Sequence, residues 1–233
     1  MKAVILAGGY SKRLRPITET IPKPLVVVGG KPILEWEMEW LERCGIRSFV
    51  FLVGYLKEKV MEYVDSRAEA RGIRVEYSEE EAPMGTAGAL KNAEGILYGE
   101  DRFVMMNGDT ISNVDVRRLS IDSGTVAALA LVQLRSNYGI TRLEGDRIVK
   151  FDEKPVLPEY WMNTGIYLMS RQIFAYLPKG GNLESTTFAE LARIKQLKGV
   201  KFPGAYFKGV DMMKDMEEVT ADLDSGSVYR GMM

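Results

Sequence analysis

Short apolar runs alternate with longer amphipathic segments between residues 2 and 107. The runs predict strands at Lys2–Ala7, Ser48–Val53, Ile73–Ser78 and Phe103–Asn107. The segments between them predict helices at Pro32–Cys44, Glu58–Arg71 and Thr86–Glu94. Buried strands separated by helices of about ten to fifteen residues are typical of a parallel sheet covered on both faces. This half of the chain is therefore predicted to be a Rossmann-like, doubly wound α/β fold.

The pattern changes after about residue 120. Val126–Leu134 is a further apolar run, and Gly165–Met169 has the composition of a buried strand. Between them, Thr141–Phe151 alternates around Glu-Gly-Asp, which predicts a hairpin. We therefore expect a mixed, mostly parallel sheet followed by a small antiparallel portion.

The domain organisation is predicted to be simple. The chain has 233 residues and shows no internal repeat, low-complexity tract or linker. A chain of this length can bury one sizeable core. We predict one domain over 1–233, with a first lobe at about 1–120 and a second at about 121–233.

Composition restricts the partners and the compartment. The formal net charge is −1, so no overall field attracts the chain to nucleic acid or to an anionic membrane. No apolar stretch approaches the ~20 residues of a membrane span, and the N-terminal run is too short for a signal peptide. The one cysteine, Cys44, rules out an intramolecular disulfide and fits a reducing compartment. We expect a cytoplasmic protein.

The sequence contains no histidine. This excludes Ser-His and Cys-His nucleophile pairs, histidine general bases and histidine-rich zinc sites. The chemistry of this chain must therefore depend on carboxylates, cations, backbone amides and a hard metal ion.

The first strand ends in Gly8-Gly9, which indicates a phosphate site. The following residues fit neither the Gly-x-Gly-x-x-Gly dinucleotide fingerprint nor the Walker A spacing. Five cations and one acid between residues 10 and 31 give a local charge of +4: Lys12, Arg13, Arg15, Lys23 and Lys31 against Glu19. Pro22 and Pro24 restrict the backbone around Lys23. Arg13 follows the glycines closely, and arginine binds phosphate oxygens through two parallel hydrogen bonds.

The stretch LAGGYSKRLRPITETIPKPL (residues 6–25) resembles the signature of the sugar-1-phosphate nucleotidylyltransferases, approximately L-A-G-G-x-G-T-R-L-x-P-L-T-x-x-x-P-K-P-L. The glycine pair, Arg13 and Pro-Lys-Pro are in register. The sequence departs at Ser11 and Lys12, where the family commonly has Gly-Thr. The family includes mannose-1-phosphate guanylyltransferases and glucose-1-phosphate thymidylyltransferases. The resemblance covers the given sequence, and we expect a short form without the C-terminal hexapeptide-repeat domain of some longer relatives.

The resemblance implies a set of site residues. It assigns catalytic roles to Arg13, Lys23 and Asp109. It implies nucleotide binding by Leu6, Ala7, Gly8, Gly9, Lys12, Glu80, Gly85 and Thr86. It places the sugar phosphate in the antiparallel portion, at Gly139, Glu153, Lys154, Asn163 and Thr164. It also implies Mg²⁺ held by Asp109, with Asp211 as partner and Asp215 as the alternative.

The family's reaction joins a nucleoside triphosphate to a sugar 1-phosphate and releases pyrophosphate. A carboxylate at Glu80 would suit guanine, which offers two adjacent donors, better than thymine or uracil. We therefore favour GTP with mannose 1-phosphate or a similar sugar. Glucose-1-phosphate thymidylyl or uridylyl transfer, cytidylyl transfer to a non-sugar phosphate, and a non-catalytic sugar-nucleotide-sensing regulator remain alternatives. The missing Gly-x-Gly-x-x-Gly fingerprint argues against a nicotinamide-dependent oxidoreductase, and a homo-oligomer is left open.

Overall fold

The structure is a computed structural model that describes residues 1–229. Its strands are β1 (Ala3–Ala7), β2 (Val27–Val28), β3 (Lys31–Pro32), β4 (Ser48–Val53), β5 (Arg74–Glu79), β6 (Arg102–Asn107), β7 (Thr110–Ser112), β8 (Ala127–Arg135), β9 (Ile140–Glu144), β10 (Arg147–Asp152), β11 (Val156–Ser170), β12 (Leu197–Lys201) and β13 (Phe207–Gly209). Its α-helices are α1 (Ile33–Arg43), α2 (Lys57–Arg71), α3 (Gly85–Asn92), α4 (Thr187–Arg193) and α5 (Met213–Asp224).

The central sheet has seven strands in the order β12-β8-β11-β6-β1-β4-β5. β1, β4, β5 and β6 run parallel, and β8 and β12 run in the same direction. β11 is antiparallel to both of its neighbours, β6 and β8. Two-stranded antiparallel sheets pair β9 with β10, β7 with β13, and β2 with β3. The predicted mixed, mostly parallel sheet with a small antiparallel portion is confirmed.

Helices cover both faces of the sheet because successive strand residues point to opposite sides. Ile5 packs in one cluster with Leu34 of α1 and with α2 residues. Val4, its neighbour in β1, packs in a second cluster with Leu90 of α3 and with residues of α4. All of these named side chains are fully buried, and each such burial contributes about 1.5–3 kcal/mol. This arrangement is the predicted doubly wound architecture.

The sequence pattern missed the elements with little apolar content. β11 begins at Val156, well before the predicted Gly165. Its first half is mostly exposed, contains Pro158 and Glu159, and pairs irregularly with β8, so it gives no buried-strand pattern. α4, α5, β12 and β13 were not predicted. α5 nevertheless packs Val219 and Leu223 in a third cluster with Ile33. The division into lobes near residue 120 stays a prediction, since the sheet itself is continuous.

No helix within residues 1–229 has both the length and the apolar character that crossing a bilayer requires.

Candidate active site

A cavity of about 340 Å³ opens at the carboxyl ends of β1 and β6, beside the start of α3. Ligands of doubly wound sheets bind at this edge. Of the predicted nucleotide-binding residues, the cavity wall includes Leu6, Ala7, Gly8, Gly9, Glu80, Gly85 and Thr86. It also includes the predicted catalytic residues Lys23 and Asp109. Lys12 is exposed and is not among the lining residues, so the structure does not bring it to the cavity.

The loop after Gly9 turns sharply at Ser11, which has left-handed backbone angles of φ 41° and ψ 58°. Glycine adopts this region readily, which gives a physical reason for the family's glycine at this position. The Thr18 hydroxyl donates to the Ser11 carbonyl oxygen at 2.8 Å and holds the turn. Leu14 is fully buried below it. The turn leaves Arg13 exposed, with its guanidinium directed to a carboxylate far along the chain.

That carboxylate belongs to a cluster centred on Lys23. The Lys23 Nζ lies 2.5 Å from Asp109 Oδ2 and 2.7 Å from Asp211 Oδ1. Arg13 Nη2 lies 2.8 Å from the same oxygen of Asp211. Pro22 has an extended conformation and Lys23 begins a 3-10 turn, which together bury Lys23 to 9% exposure. Four predicted residues from four separate segments therefore meet at one point.

Asp109 is positioned by a close approach of two strand ends. The Gly108 amide donates to the Leu6 carbonyl oxygen at 3.0 Å. A Cβ on Gly108 would clash with that oxygen, so only glycine fits. The Asp109 carbonyl oxygen in turn accepts from the Val210 amide at 2.9 Å. The antiparallel pairing of β7 with β13 continues into this contact and carries Asp211 to Asp109.

Asp211 and Asp215 have different partners. The Asp215 Oδ2 accepts from the backbone amides of Asp211 and Met212, at 3.0 and 2.8 Å. It thereby caps the first turn of α5, as its place at a helix start indicates. Asp211 instead faces Lys23 and Arg13. The geometry favours Asp211 over Asp215 as the partner of Asp109.

The electrostatics of Asp211 favour the carboxylate. Partial burial acts to raise its pKa, but the hydrogen bond from Lys23 and the charges of Lys23 and Arg13 outweigh burial and lower the pKa. Within residues 1–229, no group of three or more acidic or cysteine side chains could hold a metal ion. Two convergent carboxylates that already share a cation are, however, the donor set with which proteins hold Mg²⁺ on substrate phosphates.

Glu80 forms one wall of the cavity at the end of β5. Its Oε2 accepts from the Met84 amide at 2.9 Å, and its Oε1 faces Gly8, where a Cβ would lie only 2.9 Å away. Burial raises the pKa of Glu80, although the Met84 amide acts in the opposite direction. The carboxylate is thus held in place with lone pairs left to bind donors.

The small residues at the start of α3 serve packing. A Cβ on Gly88 would lie 2.9 Å from the Gly180 Cα, and a Cβ on Gly85 would lie 2.5 Å from the Gly181 carbonyl oxygen. The Ala87 amide donates to the Gly181 carbonyl oxygen at 2.9 Å. The Thr86 hydroxyl accepts from the Leu183 amide at 2.8 Å. The loop at residues 180–183 therefore binds the Ala87 amide and the Thr86 hydroxyl at this helix start. The same loop adds Asn182 to the cavity wall.

The predicted sugar-phosphate residues lie outside the cavity wall. Gly139 adjoins Glu153, since a Cβ on it would lie 3.1 Å from Glu153 Oε2, and Glu153 and Lys154 are exposed. Asn163 Nδ2 donates to the Tyr167 hydroxyl at 3.0 Å. Thr164 is buried, and its hydroxyl donates to the Ala130 carbonyl oxygen at 2.9 Å. The side chain of Thr164 is therefore engaged within the sheet.

Sequence reasoning missed Glu37, which lies behind Asp109. Glu37 is 1% exposed, and its Oε1 accepts from the Thr110 amide at 2.9 Å. Its Oε2 has no hydrogen-bond partner among the described residues. The sequence did contain a signal for a buried acid, because Glu37 falls on the apolar face of the predicted helix. Glu37 ties α1 to the turn that presents Asp109.

Replacing Glu37 with Gln is expected to stabilise the fold as the pH rises. Burial raises the pKa of Glu37 well above 4.5, so the folded chain keeps a proton that the unfolded chain releases above that pH. The wild type thereby loses stability with increasing pH, whereas Gln keeps the acceptor for Thr110 without titrating. Urea unfolding at a series of pH values should show a difference in unfolding free energy between the two proteins that widens as the pH rises above the ordinary pKa of a glutamate. A difference in unfolding free energy that does not change with pH would contradict a raised pKa of Glu37 in the folded protein.

Comparison with known proteins places this arrangement in a family. The sequence model described as "Nucleotidyl transferase" matches residues 2–215. A D-glycero-alpha-D-manno-heptose 1-phosphate guanylyltransferase from Campylobacter jejuni is 36% identical over 177 residues, covering 75% of this chain and 78% of that protein. A mannose-1-phosphate guanyltransferase from Yarrowia lipolytica is 34% identical over 226 residues, covering 92% of this chain and 62% of that protein.

Structural comparison supports the same conclusion. A crystal structure from Bacillus anthracis, titled as a glucose-1-phosphate thymidylyltransferase in complex with sucrose, superimposes with a TM-score of 0.72 at 25% identity. The match covers 95% of this chain and 94% of that one. The chain spans less than two thirds of the length of the Yarrowia lipolytica protein. Because the family's sequence model matches nearly the whole chain, and a guanylyltransferase is 36% identical over 75% of it, the protein belongs to the nucleotidyl transferase family.

Proposed function

We propose that the protein is a sugar-1-phosphate guanylyltransferase, which converts GTP and mannose 1-phosphate, or a similar sugar 1-phosphate, into a GDP-sugar and pyrophosphate. The observation that carries the proposal is the convergence of Arg13, Lys23, Asp109 and Asp211 beside the cavity. The relatives named as guanylyltransferases support the choice of reaction.

The reaction requires no general base. A phosphate oxygen of the sugar 1-phosphate forms a bond to the α-phosphorus of the nucleotide, and the bond from that phosphorus to the pyrophosphate oxygen breaks. The attacking oxygen is already an anion near neutral pH, so no proton has to be removed. Catalysis then consists of positioning and charge neutralisation, which agrees with the lack of histidine.

The cations have distinct proposed roles. Arg13 binds the departing pyrophosphate, Lys23 binds the α-phosphate, and Lys154 binds the phosphate of the sugar. Each charge-assisted hydrogen bond of this kind is worth roughly 1.5–3 kcal/mol. Lys23 is supported by its place in the cavity wall, next to Gly8 and Gly9. Gly139 and Glu153 would bind sugar hydroxyls beside Lys154.

Asp109 and Asp211 would hold Mg²⁺. When bound, this ion would neutralise charge on the triphosphate and on the leaving pyrophosphate. The fit rests on the two carboxylate oxygens that already converge on one cation, the Lys23 ammonium.

Glu80 is the proposed reader of the base. Replacing it with Gln keeps an acceptor for the Met84 amide but turns the second oxygen into a donor. The ratio of kcat/KM for GTP to that for dTTP should therefore fall by about tenfold or more. The neighbouring exposed Glu81, changed to Gln, is the matched control. An unchanged nucleotide ranking in the Glu80→Gln protein would reject this role.

The proposal is tested by a matrix of nucleoside triphosphates against sugar 1-phosphates, with pyrophosphate release as the readout. GTP with mannose 1-phosphate or a heptose 1-phosphate should give the highest kcat/KM. A preference for dTTP or UTP with glucose 1-phosphate would support the thymidylyl or uridylyl alternative, which the Bacillus anthracis neighbour represents. Turnover only with CTP and a non-sugar phosphate would indicate the cytidylyl alternative. Binding without turnover would indicate a regulatory homologue.

A further inference from the structure

The hairpin of β9 and β10 has an exposed apolar face. Ile148 lies opposite Leu143, and Phe151 lies opposite Thr141. Thr141 and Leu143 are two residues apart in β9 and so share a face, and the irregularity between Ile148 and Lys150 keeps Phe151 on that face. Leu143, Ile148 and Phe151 are 59%, 61% and 62% exposed. Contiguous exposed apolar side chains of this size mark interaction surfaces.

The same hairpin leaves strand edges unpaired. Within the described residues its sheet contains only β9 and β10. An isolated two-stranded hairpin is marginally stable in water, and an open edge can accept a further strand. An added strand would complete the hydrogen bonds of the edge and place further side chains beside those of the apolar face.

The sequence of β10, Arg-Ile-Val-Lys-Phe-Asp, is complementary to itself in the antiparallel direction. With a two-fold axis between Val149 and Lys150, Arg147 lies opposite the second copy's Asp152. Ile148 then lies opposite the second copy's Phe151, on the apolar face. Opposite charges and apolar pairs placed across strands stabilise a sheet. Within residues 1–229 Arg147 forms no ion pair, whereas Asp152 pairs with Lys150 of its own strand at 2.7 Å and would have to share that carboxylate.

Shifted registers of β10 lose this complementarity. A shift of the axis to Val149 places Arg147 opposite Phe151, and a shift to Lys150 places that lysine opposite itself. β9 can pair with itself favourably only around Leu143, with Arg142 opposite Glu144, and this register runs into the turn at Gly145. The charge pattern therefore selects β10 and one register.

We propose that a second copy of this chain pairs antiparallel with β10 and forms an isologous dimer. Each copy contributes the same Arg147–Asp152 and Ile148–Phe151 pairs, so every substitution acts twice at the interface. The pairing joins two hairpins into one four-stranded sheet. The paired strand β10 is followed directly by Glu153 and Lys154. None of its residues lines the nucleotide cavity.

Sedimentation velocity of the full chain tests the proposal. The wild type should sediment as a dimer, at twice the 26.1 kDa of the chain. Arg147→Asp and Asp152→Arg should each raise the dimer dissociation constant by roughly tenfold or more, because each faces like charges. The double variant Arg147→Asp/Asp152→Arg should restore the dimer. The matched single reversal on the other strand, Arg142→Glu, should leave the dimer unchanged.

The possible results distinguish pairing through β10 from a monomer and from dimers held by another surface. A monomeric wild type at micromolar concentration would overturn the proposal. So would a dimer that tolerates both single reversals, since another surface would then hold it. A dimer that is lost in the single reversal Arg142→Glu but tolerates Arg147→Asp would assign the interface to β9 instead. Circular dichroism of each variant checks that the exposed substitutions leave the fold intact.

Discussion

Replacing Asp109 with Ala lowers kcat by at least about 10²-fold, which corresponds to roughly 3 kcal/mol of lost transition-state stabilisation. Asp109 lies at the end of β6, in the wall of the cavity, and its carboxylate is 2.5 Å from the Lys23 ammonium. Its removal deletes one of the two proposed metal ligands and leaves Lys23 paired with Asp211 alone. The measurement is pyrophosphate release at saturating substrates across a Mg²⁺ titration.

The fold of the Asp109→Ala protein should survive, because the Asp109 side chain is about one-third exposed. Asp122→Ala is the matched control: Asp122 also pairs with a lysine, Lys198 at 2.7 Å, but on the surface away from the cavity. That variant should keep the wild-type kcat. Near-normal turnover of the Asp109→Ala protein would remove Asp109 from the metal site.

Replacing Lys23 with Met is expected to affect both catalysis and metal-free stability. The loss of one charge-assisted phosphate contact lowers kcat/KM by roughly 10–10²-fold. In the absence of substrate, Asp109 and Asp211 lose the cation they share, and the two carboxylates then repel each other. The variant should therefore have a lower Tm than the wild type without divalent cation, and Mg²⁺ should raise its Tm more than it raises that of the wild type.

Lys57→Met provides the control for Lys23. Lys57 also pairs with a carboxylate, Glu79 at 2.6 Å, but it is partly exposed and forms no ion pair with Asp109 or Asp211. The Tm of the Lys57→Met protein should respond to Mg²⁺ as the Tm of the wild type does. Equal Mg²⁺ responses of the Lys23→Met protein and the wild type would show that Lys23 and the divalent cation do not share the carboxylate pair.

The nucleotide half of the site was the most predictable part. β1, β4 and β6 were found from apolar runs, because strands buried on both faces need such runs. β5, a partly exposed edge strand, was also predicted. Asp109 follows β6 directly, so its place at the ligand-binding edge follows from the parallel topology. Gly8 and Glu80 meet for the same reason, since β1 and β5 end at the same edge.

The partner of Asp109 was predicted only through the family resemblance. β7 and β13 are three residues each, too short for a periodic signal, yet their pairing brings Asp211 to Asp109. The sequence placed Asp215 at a helix start and so favoured Asp211, but it could not show which carboxylate faces Asp109. The hydrogen bonds of the helix start decided between them.

The sequence by itself determined the fold class, the parallel edge at which ligands bind and the need for chemistry without histidine. These properties depend on apolar period and residue type, which are local. The tertiary structure alone decided that Lys23 bridges Asp109 and Asp211, that Lys12 stays in solvent, that Thr164 bonds within the sheet and that Glu37 is buried. Those outcomes depend on contacts between residues far apart in the chain, which packing and strand pairing determine and local sequence does not.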